Sequence, residues 1–378
     1  MGLFNRRGNT AAAGTGTAPA HQYTEYHTNR RPPMGQWFRT VWLDLLTMVV
    51  LGAVGLGVYY APPAPTRSFP VYFQDGEIVY PQFAYPLRKN IIPIWLAAFL
   101  ASIIPIFIMA CMQIRIRSFW DFNNAVMGLL YALINAAVFQ VFLKWLIGGL
   151  RPHFLAVCKP RIPEVGVDGV TGLLNTGNGL RQIMYTRTIC SGDTKEINDS
   201  LESFPSGHST AAFAGLVFLY LYLNAKLKVF SNYAPHMWKL TALYAPILGA
   251  TLIAGSLTID EYHHWYDVVA GAIIGTMFAL SAYRMMYASI WDFRFNHVPL
   301  PRGNMRGFHY GFSGEDGWGE AVATRKAGWG EGEGMATGAP FDAAHGAMGG
   351  AGGGLRGILN GGNHNGATHN THKVEGVV

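Results

Sequence analysis

Two adjacent imidazoles and a carboxylate lie in one short polar link between two apolar stretches of the chain. The link runs from Ser256 to Asp267 and contains His263 and His264. If the chain is helical from Tyr262 onward, His263 and Asp267 are four residues apart on one face, so the carboxylate can accept the Nδ1–H of the imidazole. That bond leaves the Nε2 lone pair of His263 free as a nucleophile. An interfacial belt of His, Trp and Tyr at a membrane surface is the alternative interpretation.

Two cations stand earlier in the chain, in the stretch Lys144-Trp-Leu-Ile-Gly-Gly-Leu-Arg151-Pro152. Lys144 and Arg151 are seven residues apart, so they share a helix face for as long as the helix continues. Arginine offers a planar fork to phosphate oxygens and lysine offers a point charge, so the pair predicts an anion site. For Lys144 alone, snorkelling to the membrane surface is the simpler interpretation.

A third polar stretch, Phe204-Pro-Ser206-Gly207-His208, comes directly before an apolar run. The start of a helix binds anions through its free N–H groups and its dipole, and Gly207 lets an oxygen approach the backbone closely. Ser206 adds a hydroxyl donor, and His208 adds a proton that can be given or taken. An ordinary serine cap beside an interfacial histidine is the alternative interpretation.

The three stretches together describe a phosphoryl-transfer site that needs no metal and no cofactor. No cluster of carboxylates suggests a Mg²⁺ site. The three cysteines, Cys111, Cys158 and Cys190, lack the spacing of a zinc site.

Long apolar helices must position these stretches. Half of the 378 residues are hydrophobic and only 13% are charged, against about 25% in soluble domains. Apolar runs of roughly 20 residues are long enough to span a bilayer. The sequence therefore predicts an all-α integral membrane protein with a bundle of six transmembrane helices. Their predicted positions are about 37–60, 91–112, 123–147, 206–227, 240–257 and 266–287.

The spans define a domain at residues 37–292, between predicted disordered tails at 1–36 and 293–378, the second of them rich in glycine. Lys and Arg concentrate in the tails and in the second-to-third and fourth-to-fifth links, whereas the fifth-to-sixth link has neither. This bias predicts that both termini face the cytosol and that the three polar stretches face the lumen or the outside. The net charge of +6 is then a topology signal, and no nucleic-acid partner is expected.

In their order and spacing, the motifs resemble those of the type 2 phosphatidic acid phosphatase (PAP2) superfamily. Within it, the chain is similar to eukaryotic lipid phosphate phosphatases, including fungal diacylglycerol pyrophosphate phosphatase. The family pattern is Lys-x6-Arg-Pro, then Pro-Ser-Gly-His, then Ser-Arg-x5-His-x3-Asp. The resemblance covers about residues 37–290 and implies a helix bundle of the PAP2/haloperoxidase-like type.

The resemblance implies Mg²⁺-independent hydrolysis of lipid phosphates at the bilayer edge. His263 would attack phosphorus and form a phosphohistidine, Asp267 would orient it, and His208 would protonate the leaving oxygen and then activate water. The groups that would hold the phosphate are Lys144, Arg151, Ser206 and Gly207. His264 is an alternative nucleophile that the family register disfavours. Substrates would be phosphatidic acid, lysophosphatidic acid, diacylglycerol pyrophosphate or phosphorylated sphingoid bases.

Leu257 departs from the family pattern, because the third motif has an arginine there that clamps the phosphate in the transition state. Losing one such clamp typically costs about 10²–10³ in rate. A substitute cation would have to come from a loop, with Arg181, Arg187 and Lys195 as candidates. The departure favours a rival interpretation, a weak or inactive membrane relative that binds lipid or acts as a scaffold. A lipid phosphotransferase is a second rival.

The long loop at 149–204 carries two further predictions. Cys158 and Cys190 both lie in it, and a non-cytosolic location allows them to form a disulfide, whereas Cys111 stays reduced. Asn198-Asp-Ser is a glycosylation sequon on the same loop. The expected location is a vacuolar, endomembrane or plasma membrane. The oligomeric state is left open, with a homo-oligomer among the options.

Overall fold

The structure is a computed structural model that describes residues 31–62, 68–71, 81–161 and 184–300. In chain order its helices are α1 Met34–Tyr60, α2 Ile94–Ile116, α3 Phe119–Leu146, α4 Phe154–Cys158, α5 Thr194–Ser200, α6 Gly207–Leu227, α7 Met237–Ile259 and α8 Trp265–Met286. All but α4 and α5 are long and apolar enough to cross a membrane. This confirms the predicted all-α membrane bundle of six spans, whose ends differ from the predicted ones by at most four residues.

Helix α6 is the centre of the bundle and packs against α2, α3, α7 and α8. Close approach to α8 depends on Gly271 and Gly275. A Cβ at Gly271 would lie 2.6 Å from the carbonyl oxygen of Ser206, and one at Gly275 would lie 2.5 Å from that of Thr210. The first turn of α6, which carries two of the predicted site residues, is therefore pressed directly against the start of α8.

A small layer of loops and short helices covers one end of the bundle. In the described part of this layer, β1 (Phe69–Pro70) pairs antiparallel with β2 (Met184–Tyr185). A separate apolar cluster lies beneath the two strands, formed by Phe69, Val71, Phe154, Val157, Tyr185, Ile189, Ile197 and Leu201. The structure joins Cys158 and Cys190 in this layer, with an S–S distance of 2.01 Å. The cluster and the disulfide together hold α4 and α5 in place over the bundle.

The opposite end of the bundle is closed by a buried polar network. Asp121, at the start of α3, lies 2.6 Å from Nζ of Lys226 and accepts a hydrogen bond from the Tyr222 hydroxyl at 2.9 Å. Lys228 donates to Asn296 Oδ1 at 2.7 Å. All five side chains are buried. Both lysines were predicted to lie in a link between spans, so their full burial is a feature that the sequence pattern did not indicate.

The described part of the fold extends beyond the predicted domain limits of 37–292. Helix α1 already begins at Met34. Residues 293–300 pack back on the bundle, since the Leu300 N–H donates to the Met286 carbonyl and His297 is 1% exposed. These eight residues therefore do not belong to a disordered tail. The rest of the two predicted tails, residues 1–30 and 301–378, lies outside the described residues.

Candidate active site

Lys144 and Arg151 come together, although not by sharing a helix face as predicted. Helix α3 ends at Leu146, and the chain then turns through Gly148 and Gly149 with φ of 49° and 115°. Glycine adopts these positive values without steric cost. The turn is anchored to the end of α5, because the Gly149 and Arg151 N–H groups donate to backbone carbonyls there, each at 2.9 Å.

The two cations converge on carboxylates from α5 and the segment after it. Arg151 Nη2 lies 2.8 Å from Asp199 Oδ1, and Lys144 Nζ lies 4.0 Å from the same oxygen and 3.7 Å from Glu202 Oε2. Burial alone would raise the pKa of Asp199, but Arg151, Lys144 and His263 together lower it. Asp199 therefore stays ionised and neutralises the cations. Its side chain is 50% exposed, so it can move away into solvent.

Ser206 and Gly207 open α6 as predicted. The Ser206 hydroxyl accepts a hydrogen bond from the Ser209 N–H at 3.4 Å. The backbone N–H of Ser206 donates to the Asp267 carbonyl at 3.1 Å. Gln140, on α3, donates to the Pro205 carbonyl at 3.0 Å and so fixes the turn that leads into the helix. A Cβ at Gly207 would meet Gln140 at an ordinary 3.6 Å, so packing inside the protein does not by itself require glycine there.

His208 lies in the first turn of α6 and is 8% exposed. Its Nε2 is buried and has no hydrogen-bond partner within the described parts of the chain. Arg151, Lys144 and Asp199 all act on this imidazole electrostatically. A buried ring nitrogen next to an anion site is available to exchange a proton with a bound phosphate ester.

His263 precedes α8, which begins at Trp265, so the predicted helical pairing with Asp267 is wrong in its details. The two side chains still meet, with Nδ1 of His263 3.6 Å from Oδ2 of Asp267. That distance is longer than a hydrogen bond. Burial lowers the pKa of His263 to about 4, and Arg151 and Lys144 act in the same direction. The imidazole is therefore neutral at neutral pH, as a nucleophile must be.

His264 is held by packing contacts. Its Nε2 lies 3.2 Å from the Leu150 carbonyl, its ring stacks on Tyr266 at 5.0 Å, and Phe83 meets it edge-on at 5.6 Å. The expected preference for His263 as nucleophile agrees with these contacts, because His263 is the imidazole beside Asp267.

Leu257 lies in the last turn of α7 and is 0% exposed. Its carbonyl accepts from the N–H groups of Tyr262 and His263 at 3.1 and 3.2 Å, so it supports the turn that carries the histidine and adds no charge. Of the substitute cations considered, Arg187 donates to Asn198 at 3.2 Å on the surface, and Lys195 is exposed on α5. Arg181 lies outside the described residues.

Sequence reasoning missed several residues of this site. Ser203 donates to Asp267 Oδ2 at 2.5 Å, and Asp199 binds Arg151. His153 is buried, with Nδ1 2.9 Å from the Glu261 carbonyl oxygen, and burial lowers its pKa. The one available signal was position, since Ser203 shortly precedes Pro-Ser-Gly-His and His153 directly follows Arg-Pro.

No arrangement of three or more His, Cys, Asp or Glu side chains suited to a metal ion occurs in the described residues. What the site does present is a pair of cations, the start of a helix, an imidazole with a free ring nitrogen and a second, neutral imidazole beside a carboxylate. This set can bind a phosphate group, attack its phosphorus and exchange the protons that the reaction needs.

Comparison with known proteins identifies several related sequences. The model of the PAP2 superfamily matches residues 125–291. Lipid phosphate phosphatase 1 of Arabidopsis thaliana is 33% identical over 244 residues, which cover 65% of this chain and 67% of that protein. Diacylglycerol pyrophosphate phosphatase 1 of Saccharomyces cerevisiae is 30% identical over 260 residues, 68% of this chain and 81% of that protein. No solved structure matches the chain significantly.

Proposed function

The chain belongs to the PAP2 superfamily, and on that premise we propose that it is a metal-independent lipid phosphate phosphatase that acts through a phosphohistidine. The names of its relatives support lipid phosphatase activity. One observation carries the finer proposal. Lys144 and Arg151 both face the half-exposed carboxylate of Asp199, which also interacts electrostatically with the buried, neutral imidazole of His263. A substrate phosphate that replaces Asp199 on Arg151 would come within reach of that imidazole.

In the first step, Nε2 of His263 attacks phosphorus and forms a P–N bond while the bond to the lipid oxygen breaks. Arg151 and Lys144 bind the phosphate oxygens, with the N–H groups and the Ser206 hydroxyl at the start of α6. His208, whose cationic form is favoured once the phosphate charge is bound in the site, gives its proton to the leaving lipid oxygen. The phosphorylated imidazole is a cation, and the carboxylate of Asp267 stabilises it.

In the second step, His208 takes a proton from water, and the oxygen of that water attacks phosphorus. The P–N bond breaks, so His263 recovers its neutral form and inorganic phosphate leaves. Asp199 then returns to Arg151 and restores the resting site.

The substrate is a lipid because the site lies level with exposed apolar side chains. Ile259 ends α7 and Trp265 begins α8 on either side of His263, and they are 64% and 71% exposed. Such side chains support a site at the edge of the bilayer, where a headgroup can enter while the acyl chains stay in the membrane. The substrate class includes phosphatidic acid, lysophosphatidic acid, diacylglycerol pyrophosphate and phosphorylated sphingoid bases.

The site faces the lumen or the outside, and both termini face the cytosol. The pairing of Cys158 with Cys190 supports this orientation, because the pair lies in the layer that covers the site and disulfides persist in oxidising, non-cytosolic compartments. If Asn198 is glycosylated in the secretory pathway, endoglycosidase will shift the mobility of the protein, and Asn198→Gln will abolish the shift. A sequon that stays unmodified while an engineered sequon in a terminal tail is modified would reverse the orientation.

The test of function is phosphate release from phosphatidic acid in mixed micelles with EDTA present. His263→Ala reduces release to background, whereas the matched variant His264→Ala retains turnover because it removes ring packing and a hydrogen bond to the Leu150 carbonyl but leaves the nucleophile in place. A denaturing quench at alkaline pH with ³²P-labelled substrate traps a phosphoryl group on His263 that is stable in base and lost in acid. Release that EDTA abolishes, or that survives His263→Ala, would contradict the proposal.

A second candidate function rests on Leu257. Because a buried leucine replaces a phosphate clamp and both remaining cations are paired with carboxylates, the chain could bind lipid phosphates without hydrolysing them. In that case wild type and His263→Ala bind vesicles of phosphatidic acid equally, and neither releases phosphate. A phosphotransferase would instead transfer the phosphate to an added alcohol.

A further inference from the structure

The carboxylate of Asp267 is held by groups other than the histidine that it faces. Its Oδ2 accepts from the Ser203 hydroxyl at 2.5 Å and from the His264 N–H at 3.1 Å, whereas Nδ1 of His263 is 3.6 Å away. Its Oδ1 is buried and has no hydrogen-bond partner in the parts of the chain that the structure describes. Ser203 is therefore the one side chain that donates a hydrogen bond to this carboxylate among the described residues.

Both partners of the Ser203–Asp267 bond are removed from water, since Ser203 is 1% exposed and Asp267 is 0% exposed. A buried carboxylate is strongly disfavoured unless donors compensate it, and bonds to an ionised acceptor are about twice as strong as neutral ones. The Ser203 hydroxyl is thus in a position to compensate the burial of the Asp267 carboxylate and to fix its plane.

Ser203 is also joined to the turn that carries the phosphate-binding arginine. Its N–H donates to the Gly149 carbonyl at 3.0 Å, and the Phe204 N–H donates to the Gly148 carbonyl at 3.0 Å. The backbone of residue 203 is therefore anchored on the Arg151 side, while its side chain reaches Asp267 on the opposite side. This single residue connects the phosphate-binding part of the site to the part that carries the nucleophile.

We propose that Ser203 is a positioning residue of the phosphoryl-transfer step. Its hydroxyl holds the Asp267 carboxylate ready to accept the Nδ1–H of His263 as that imidazole becomes a cation. In the resting site the gap of 3.6 Å is tolerated because His263 is neutral. Once Nε2 bonds to phosphorus, the positive charge on the ring draws Nδ1–H toward the carboxylate. This role rests on the proposed function of His263 as the nucleophile.

Ser203→Ala is expected to lower kcat about 10- to 100-fold, the usual effect of losing a hydrogen bond to a charged group, with KM changed less than about twofold. KM should change little because the variant keeps the backbone hydrogen bond from residue 203 to Gly149 and the two phosphate-binding cations, Lys144 and Arg151. Ser203→Thr keeps the hydroxyl and restores most of kcat. The matched control is Ser209→Ala, which removes an equally buried hydroxyl that donates to the Val268 carbonyl at 2.7 Å and leaves kcat within about twofold.

If Ser203→Ala does not fold, Ser203→Cys is used in its place. A thiol is a weak hydrogen-bond donor of similar size, so kcat of this variant should lie between that of wild type and that expected for Ser203→Ala. A second readout needs no turnover. The rate at which diethyl pyrocarbonate modifies His263, located by tandem mass spectrometry, should fall in Ser203→Ala and not in Ser209→Ala. An unchanged kcat and modification rate would overturn the role of Ser203. A changed modification rate in a protein that releases no phosphate would show that Ser203 orients His263 through Asp267, but it would refute the phosphatase function and with it the role of Ser203 in phosphoryl transfer.

Discussion

Removing the charge of Asp199 should tighten the binding of phosphate. In the resting site this carboxylate forms an ion pair with Arg151 at 2.8 Å and lies 4.0 Å from Lys144, so an incoming phosphate must displace it. Asp199→Asn keeps the shape and an acceptor oxygen but lowers the attraction to both cations. The variant also preserves the Asn198 sequon, because the middle residue of a sequon can be asparagine.

The expected change in the dissociation constant of phosphate follows from the solvent exposure of the Arg151–Asp199 ion pair. Arg151 is 6% exposed at its side chain, but Asp199 is 50% exposed, so water screens the pair as it screens surface ion pairs. Such pairs contribute up to about 1 kcal/mol. Since about 1.4 kcal/mol corresponds to a factor of ten, the dissociation constant of phosphate should fall about fivefold. The 4.0 Å contact with Lys144 acts in the same direction.

The assay is the inhibition constant of inorganic phosphate or vanadate, measured at several ionic strengths. Asp193→Asn is the matched control, because it removes the same charge from the same helix. Asp193 caps α5 through the N–H groups of Lys195 and Glu196, and asparagine caps a helix equally well. The difference between the two variants should shrink as salt rises.

An inhibition constant that rises in Asp199→Asn would refute this reasoning. It would mean that the carboxylate orients Arg151 for the phosphate and does not compete with it. An equal fall in Asp193→Asn would assign the effect to net charge.

Two further predictions concern Leu257 and His263. Leu257→Arg should raise kcat/KM for phosphatidic acid, by up to about 10²-fold, because it restores a phosphate clamp, whereas Leu257→Met should not. Activity should fall at acid pH only near pH 4, because burial lowers the pKa of His263 to about 4 and the neutral form is the nucleophile. A loss of activity centred near pH 6.5, the ordinary pKa of histidine, would contradict the assignment of His263 as the nucleophile. The same shift means that the unfolded chain binds a proton that the folded chain does not, so thermal stability should fall as pH is lowered from about 6.5 to about 4. His263→Gln should weaken that dependence without abolishing it, because burial also lowers the pKa of His153.

Local pattern was sufficient to predict the six long helices of this protein, but not the short helices and strands of the layer that covers them. Runs of apolar residues define the six spans, because a helix that crosses lipid must satisfy its backbone internally and expose apolar side chains. Residue type and spacing also identified the two cations, the start of α6 and the imidazole beside Asp267. These features depend on neighbours within a few turns of the chain, and a single sequence shows them directly.

Packing between distant segments decided the remaining features. Asp121 meets Lys226 across 105 positions, and Ser203 meets Asp267 across 64. No local sequence pattern predicts such pairs, because they form only when α3, α6 and α8 pack together and exclude water. For the same reason the pattern indicated link positions for Lys226 and Lys228, which the structure buries.

The sequence by itself determined the membrane class, the spans and the chemical types available to the site. Only the tertiary structure decided which oxygen faces which cation and which donor holds Asp267. The physical reason is that hydrophobic periodicity and helix capping act over a few residues, whereas the position of a buried charge depends on every segment that surrounds it.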